Sequence, residues 1–484
     1  MRWPETLRPL RMARVAVVAP EESLRRALAV TADAGVLEPD LPDPESPAPG
    51  RASQALRRTG GGSAEPALTL DAPDPEQLAR DGRLDLLAGE AELEARSAAV
   101  FRRGNVAALA GWTPERARPA LAARLAESGA AVVPLPYPRG AETPTLLPGP
   151  GRGGDGLRGG GLRGGGLRGS LAPLVETYGT VPYADIDPTP LAWAAYVLMF
   201  GMMFGDAGHG LMLLGVAAAL LAGWPGRLRR LRRAWPFVLG AAVTSIFFGL
   251  LYGEFFGPTG LLPVLWLNPL AEPVTLLVAA IGVGAVLLGG AYVIGIVNRW
   301  REGGWPVALY EPSGIAGASL FLGLGVVAVG LRLSLPTLTI AGALVAGTGL
   351  ALAFAGFLAG AGGGGTGVAQ AIVELFDLVV RLGANVVSFA RLAAFGLAHA
   401  ALAGIVWSVT AGSWARGGAF CLVAVVVFVV GTAVTFALEA LVAGIQALRL
   451  EYYELFSRLF RVQGRPFRPW HIPIRPSAER EGMS

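Results

Sequence analysis

Arg391 lies within Ala369–Thr410, a run otherwise long and apolar enough to be a membrane helix. A guanidinium does not discharge by losing a proton, so in hydrocarbon it stays a cation. Insertion scales put that cost at ~2.5–3.5 kcal/mol, and such a residue usually has a functional reason to be there. About twenty mostly apolar residues on either side make snorkelling to a headgroup awkward. The other ionisable residues in apolar runs are few: Asp206, His209, Glu254, Glu374, Asp377, Arg381, His399, Glu439 and Arg449. Arg391, Phe395, Ala398 and His399 share one helical face, because residues three and four apart stack. Glu439 and Arg449 are ten residues apart, almost three turns, and are read as facing a similar direction. Val442-Ala443-Gly444-Ile445-Gln446 between them keeps that surface thin. Two helices with charged stripes would wall a polar path through a bilayer. The competing reading makes Glu439 a counter-ion that only cancels an Arg. Gly205-Asp206-Ala207-Gly208-His209 is either a turn capped by Asp206 at a helix N-terminus or a direct participant in ion transfer. Glu374, Asp377 and Arg381 read as a solvated helix face. His209 and His399 have no second His or Cys at ligand spacing, so no metal site is expected.

The elements that must hold these groups are set by composition. The 484 residues are 53% hydrophobic and only 16% charged, with mean hydropathy +0.50. Soluble domains carry about a quarter charged residues, and apolar runs of spanning length follow one another from about Pro190. The fold class expected is mainly α: a polytopic membrane helical domain preceded by a small cytoplasmic α/β domain. No signal peptide is expected, since Met1–Pro20 scatters four arginines among short apolar pieces. All basic residues are Arg, which reads as coding bias rather than phosphate recognition, and nothing suggests nucleic acid. A lone cysteine, Cys421, excludes an intrachain disulfide.

Four segments are expected: residues 1–148 as the α/β domain, 149–170 as a linker, 171–470 as the membrane domain and 471–484 as a cytoplasmic tail. In the first, Arg14–Ala19 reads as a strand, the stretch opened by Pro20-Glu21-Glu22-Ser23 as a helix ended by Gly35, and Val36-Leu37 as a strand. Residues 40–80 read as loop or disorder, and 83–101 as a helix. A second strand–helix–strand unit covers Asn105–Trp112, Pro114–Ser128 and Ala130–Leu135. The linker repeats Gly-Leu-Arg-Gly with a five-residue period at 156, 161 and 166, a flexible coil. Pro190–Trp224 would be ~50 Å long as one helix, too long for a ~30 Å hydrocarbon core. A hairpin turning at Gly201–Gly210 is expected instead, returning before Arg227, Arg229, Arg230, Arg232 and Arg233. Further spans are expected at 235–253, 274–298, 313–331, 336–360, 369–410 and 418–449, with returns at Arg299/Arg301 and the Arg-rich tail. That makes about eight spans with both ends cytoplasmic. The span holding Arg391 would reach ~60 Å, so it must be tilted, broken or extended beyond the bilayer.

At this point four motifs carry a resemblance. Phe200-Gly-Met-Met-Phe-Gly-Asp-Ala-Gly-His-Gly210, Ser245–Phe256, Arg391 with Leu397-Ala398-His399-Ala400, and Glu439 followed by Gln446–Phe456 resemble the a/I membrane subunit of rotary V-type and A-type ATPases. Shorter landmarks, Gly111–Pro114, Pro182-Tyr183 and Asp187-Pro188-Thr189, keep the same order. The resemblance implies a non-catalytic stator, in a bacterial plasma membrane, that couples proton or sodium translocation to ATP hydrolysis or synthesis. Its partners would be a rotor ring of small subunits with a buried carboxylate, peripheral-stalk and central-stalk subunits, and a V1/A1-type catalytic head. Arg391 would meet each rotor carboxylate, for want of an acid in this chain beside it. Arg449 would be a second interface cation, and Glu439, His399 and Gln446 would line a half-channel. Asp206, His209 and Glu254 stand as further polar membrane candidates. No cofactor is implied, and the chain has no Lys and hence no Walker-type phosphate loop. The chain departs from the family in its short N-terminal region, which leaves no room for two long antiparallel helices, and in the Gly-rich linker. An alternative class is a secondary ion-coupled transporter, which should show an internal repeat; none is visible between 190–330 and 336–470.

Overall fold

The computed structural model describes residues 9–40, 50–60, 64–137, 142–147, 179–183, 185–223, 226, 231–232, 234–362, 364–459 and 464–475. The Gly-rich linker expected at 149–170, Arg227, Arg229, Arg230, Arg233 and most of the 471–484 tail lie outside them. The chain divides into two compact units, residues 1–166 with 464–484, and residues 167–463.

The first unit is built on a five-stranded antiparallel sheet. Its elements are β1 (Met12–Pro20), α1 (Leu24–Ala34), β2 (Glu38–Pro39), α2 (Arg51–Arg58), α3 (Pro75–Arg80), α4 (Leu84–Ala98), β3 (Phe101–Arg103), β4 (Val106–Pro114), α5 (Arg118–Ala126) and β5 (Ala131–Pro134). The order is β2-β4-β1-β5, with β3 paired to β4. Both strand–helix–strand patterns are present, with the strand expected at Val36-Leu37 falling instead at Glu38–Pro39, and they interleave: β4 sits between β1 and β2, antiparallel to each. Gly35 closes α1 in the left-handed region, as its position after the apolar face suggested. The expectation of loop or disorder at 40–80 is corrected for α2 and α3. The cap of α2 comes from far along the chain: the Glu94 carboxylate accepts from Ala52 and Ser53 N–H at its N-terminus. A side chain at Gly50 would collide with that carboxylate.

The end of the chain completes this unit. Leu68 and Ile474 form a β-bridge, as do Thr145 and Pro466. Trp470 and Ile472 are buried with Val15, Leu28, Leu109 and Leu125 in one apolar core. Glu38 receives both the Arg465 guanidinium and the Arg468 N–H.

The second unit is helical: α6 (Thr189–Met203), α7 (Ala207–Ala222), α8 (Trp235–Tyr252), α9 (Pro273–Tyr310), α10 (Ile315–Arg332), α11 (Pro336–Gly360), α12 (Gly364–Ser388), α13 (Ala390–Ala415) and α14 (Phe420–Leu450). Among the described residues, six helices or continuous pairs are long and apolar enough to cross a bilayer, and α6 and α7 are shorter apolar helices. These two run oppositely along α8. Trp193 bonds Pro236 O, and Gly201 lies on Thr244, while Gly210 lies on Ile246 and Ala207 N on Gly249. The chain therefore reverses at Phe204-Gly205-Asp206.

The long segment around Arg391 is broken. The joint is Phe389, whose N–H bonds Val386 O while its own carbonyl takes Leu392 N–H, a tighter i→i+3 pattern. Its ring lies where a Cβ on Gly284 would be. The return expected at Arg299/Arg301 lies just before a break in α9, where Gly304 takes a non-helical backbone (φ 73), and Arg299 itself is buried, 2.7 Å from Glu302. Asn298 beside it accepts the Ile186 N–H at 3.1 Å. Asp185, also buried, has its carboxyl pushed up to about 8 by burial and by the neighbouring Glu302, against the pull of Arg299 and Arg301.

Two outcomes follow from this packing. A Cβ on Gly349 would stand 2.5 Å from Leu320 N and 2.7 Å from Ala316 O, so α10 and α11 meet backbone to backbone. Gly349→Leu is expected to cost about 1–3 kcal/mol, read by denaturant unfolding in detergent; unchanged unfolding would refute the close approach. An acid raised by folding stabilises while protonated, so the Asp185 contribution is full below its unfolded value of ~3.9 and is lost as pH rises through about 8. The melting temperature of the chain should fall over that window, and fall less in Asp185→Asn.

Candidate functional site: a buried His–carboxylate cluster and an arginine pair

The reversal between α6 and α7 is organised by Asp206. One carboxylate oxygen accepts from His209 N–H at 2.9 Å, capping α7, and from Phe256 N–H at 2.9 Å; the other accepts Gly257 N–H at 2.7 Å. Ala207 N–H donates to Glu254 O, tying the same turn to the end of α8. This holds Phe256 at φ 51, a conformation seldom adopted by an aromatic residue. The Phe256 ring then fills the place where a side chain on Gly208 would go, and Tyr252 does the same at Gly205. The glycine spacing in the motif is thus a packing requirement. Of the two readings of this turn, the cap is present in the geometry.

His209 and His399 meet across α7 and α13 with ring centroids 5.3 Å apart, each 2% exposed. Phe204, Phe256 and Phe436 wall them at centroid distances of 4.9–6.0 Å. His399 Nδ1 hydrogen-bonds the Glu439 carboxylate on α14. Glu439 is therefore paired with a histidine, not an arginine. Asp206 Oδ2 stands 3.7 Å from His209 Nδ1, too far for a hydrogen bond. Among the described residues, both ring nitrogens of His209, Nε2 of His399, one oxygen of Glu439 and one of Glu254 have no hydrogen-bond partner. Ligand atoms of Asp206, His209 and His399 lie within 4.8 Å of one another. Spacing along the sequence could not reveal this grouping, because His399 arrives from a remote helix.

Arg391 opens α13 and is about one-quarter exposed. Glu454 faces it, 3.5 Å from a guanidinium nitrogen. The expectation that no acid of this chain stands beside Arg391 is thus corrected. Glu454 belongs to a π-helical turn, Glu451–Phe456, that follows α14, so it was invisible to spacing along α13. With its amide oriented to suit its neighbours, Asn385 donates to the other Glu454 oxygen at 2.8 Å and accepts from Arg458 at 3.1 Å. Glu451, fully buried, is a further acid that the sequence reading passed over; its signal was an i,i+3 pair of acids at the end of an apolar helix. Arg449 is exposed, while Gln446 is half-buried with a buried, unpartnered oxygen. Glu439 and Arg449 do not share a direction: ten residues at ~100° each fall ~80° short of three turns. Glu374, Asp377 and Arg381 are not in the cluster; Asp377 and Arg381 pair at 2.7 Å on an exposed face of α12.

Residues 170–301 match the V-type ATPase 116kDa subunit family. The chain is similar to the A-type ATP synthase subunit I of Pyrococcus horikoshii, 30% identical over 313 residues, covering 61% of this chain and 45% of that protein. Subunit I of Aeropyrum pernix is 29% identical over 350 residues, covering 61% and 49%. The V-type ATP synthase subunit I 2 of Treponema pallidum is 32% identical over 166 residues, covering 34% and 32%. The chain spans about half the length, or less, of these relatives.

The turn geometry predicts the effect of one deletion. Asp206→Ala strands buried N–H groups and removes the cap, an expected loss of about 2–4 kcal/mol in detergent unfolding, whereas Asp206→Asn should retain most of it. Equal losses in the two variants would contradict the cap.

Proposed function

We propose, on the premise that the chain is a homologue of subunit I of A-type and V-type ATP synthases, that it is the membrane stator of a rotary ATPase. In this reading it carries protons or sodium between a rotor ring and the two sides of a bacterial plasma membrane. One observation carries the reading: a partly exposed Arg391 begins the same helix that, two turns on, presents His399 to a buried set of acids and imidazoles. A buried polar set of this kind inside apolar helices is costly unless something passes along it or binds to it.

Arg391 is the group that meets each rotor carboxylate. A cation beside a carboxylate favours its ionised form and so drives release of the bound ion. Glu454 holds the guanidinium between such encounters, and an incoming carboxylate competes for it. His399, Glu439 and Gln446 line a half-channel, with Asp206, His209 and Glu254 at its inner end, and Arg449 is a second interface cation. The side open to a ring is α14, whose Val426, Val430, Leu438 and Leu441 are exposed. Peripheral-stalk, central-stalk and catalytic-head subunits supply the ATP chemistry.

Six long spans plus the α6–α7 hairpin counted as two give eight, with both ends cytoplasmic. Arg391→Ala or Arg391→Lys should abolish ATP-driven ion pumping by the reconstituted complex while leaving assembly intact. Normal pumping by an assembled Arg391→Ala complex would overturn the proposal.

A further inference from the structure

We propose that Asp206, His209 and His399 form a binding site for a divalent transition-metal ion of the Zn2+ class. The inference stands on coordination chemistry and does not rest on the transport reading. A count of lone pairs comes first. An ionised carboxylate offers about four acceptor positions, and Asp206 uses three, on His209, Phe256 and Gly257 N–H. His209 has no ring partner among the described residues, and His399 keeps Nε2 free. Each of the three residues therefore has a donor to spare, and each is at least 98% buried. Buried, unpartnered imidazole nitrogens are costly, and a ligand that accepts their lone pairs relieves that cost.

Geometry agrees with the count. The ligand atoms lie within 4.8 Å of one another. A tetrahedral ion with bonds of ~2.0–2.2 Å needs ligands ~3.4 Å apart, so imidazole rotations and shifts of about an ångström suffice. Glu439 supplies the usual support of a metal-bound histidine. By accepting from His399 Nδ1 it fixes the tautomer that leaves Nε2 as the donor. It also adds a second negative charge, so Asp206 and Glu439 together balance a dication in an apolar setting. Two imidazoles and a carboxylate select zinc, nickel or copper over magnesium or calcium, which prefer all-oxygen shells. The fourth position is left to water or to Glu254, which borders the cluster with a free carboxylate oxygen.

The test uses the full chain in detergent, purified through a tag without histidine, stripped with chelator and titrated with Co2+ and then Zn2+. Wild type should take up one ion and give the intense visible spectrum of tetrahedral Co2+, displaced by Zn2+. His209→Gln and Asp206→Asn, the second of which keeps the helix cap, should each lose that spectrum. Glu439→Gln should retain it with affinity lowered about 10–100-fold. His471→Gln, altered outside the cluster, should bind as wild type does. Absence of the tetrahedral spectrum in the wild-type chain, or an undiminished one in Asp206→Asn and His209→Gln, would overturn the assignment.

Discussion

The carboxylate of Asp206 is the constraint on which the membrane unit turns. A chain that reverses among apolar helices leaves N–H groups with no water to satisfy them. Asp206 answers this at one point, taking one N–H from α7 and two from the loop after α8. Because the three bonds come from segments about fifty residues apart in sequence, one side chain fixes both the hairpin and the Phe256–Gly257 bend. That bend sets the Phe256 ring against His209, and His209 against His399. The cluster thus inherits its position from a structural cap, so the capped-turn and ion-handling readings of Gly205–His209 are compatible.

The arginine end of the unit follows a different rule. Arg391 has a counter-ion at 3.5 Å, long for a strong pair, and its Nε has no acceptor among the described residues. Glu454 in turn shares its carboxylate with Asn385, next to Arg458. A guanidinium held this loosely is kept in place without being fully neutralised, which leaves part of its field for an outside anion. A bidentate buried pair would be more stable locally and would lack that reserve.

How much was legible follows from the range of each interaction. Strand β1, helix α1 with its Gly35 stop, α4 and the hairpin turn rest on local patterns, and the sequence carried them. Helix α2 did not show because Glu94 caps it from beyond the next helix. The sheet order did not show because pattern reveals strands but not which strand inserts between two others. Arg299 looked like a span-end residue because nothing in the local pattern announces that it is buried. The candidate residues themselves were visible as costly charges in apolar runs, but their partners were not. His399 was placed with Glu439 on facing helices, but His209 beside it was not foreseen; Arg391 was expected to have no acid and has Glu454. Pairing across helices is long-range information that a single sequence does not carry.

The extended segment 464–475 gives the first unit an unusual timetable. Trp470 and Ile472 belong to its core, and Glu38 waits for Arg465 and Arg468. In synthesis from the N-terminus, these residues are made after the apolar helices of the second unit. The N-terminal sheet therefore emerges early with an open apolar face and is sealed only when the last helix is finished. Seen this way, the apolar helices of residues 167–463 are one very long insertion within the first compact unit. Closing so large a loop costs only about 0.6 kcal/mol more for each further doubling. A chain cut short before Gly464 would leave the sheet unsealed, so completeness of the membrane half is registered in a domain built from the other end.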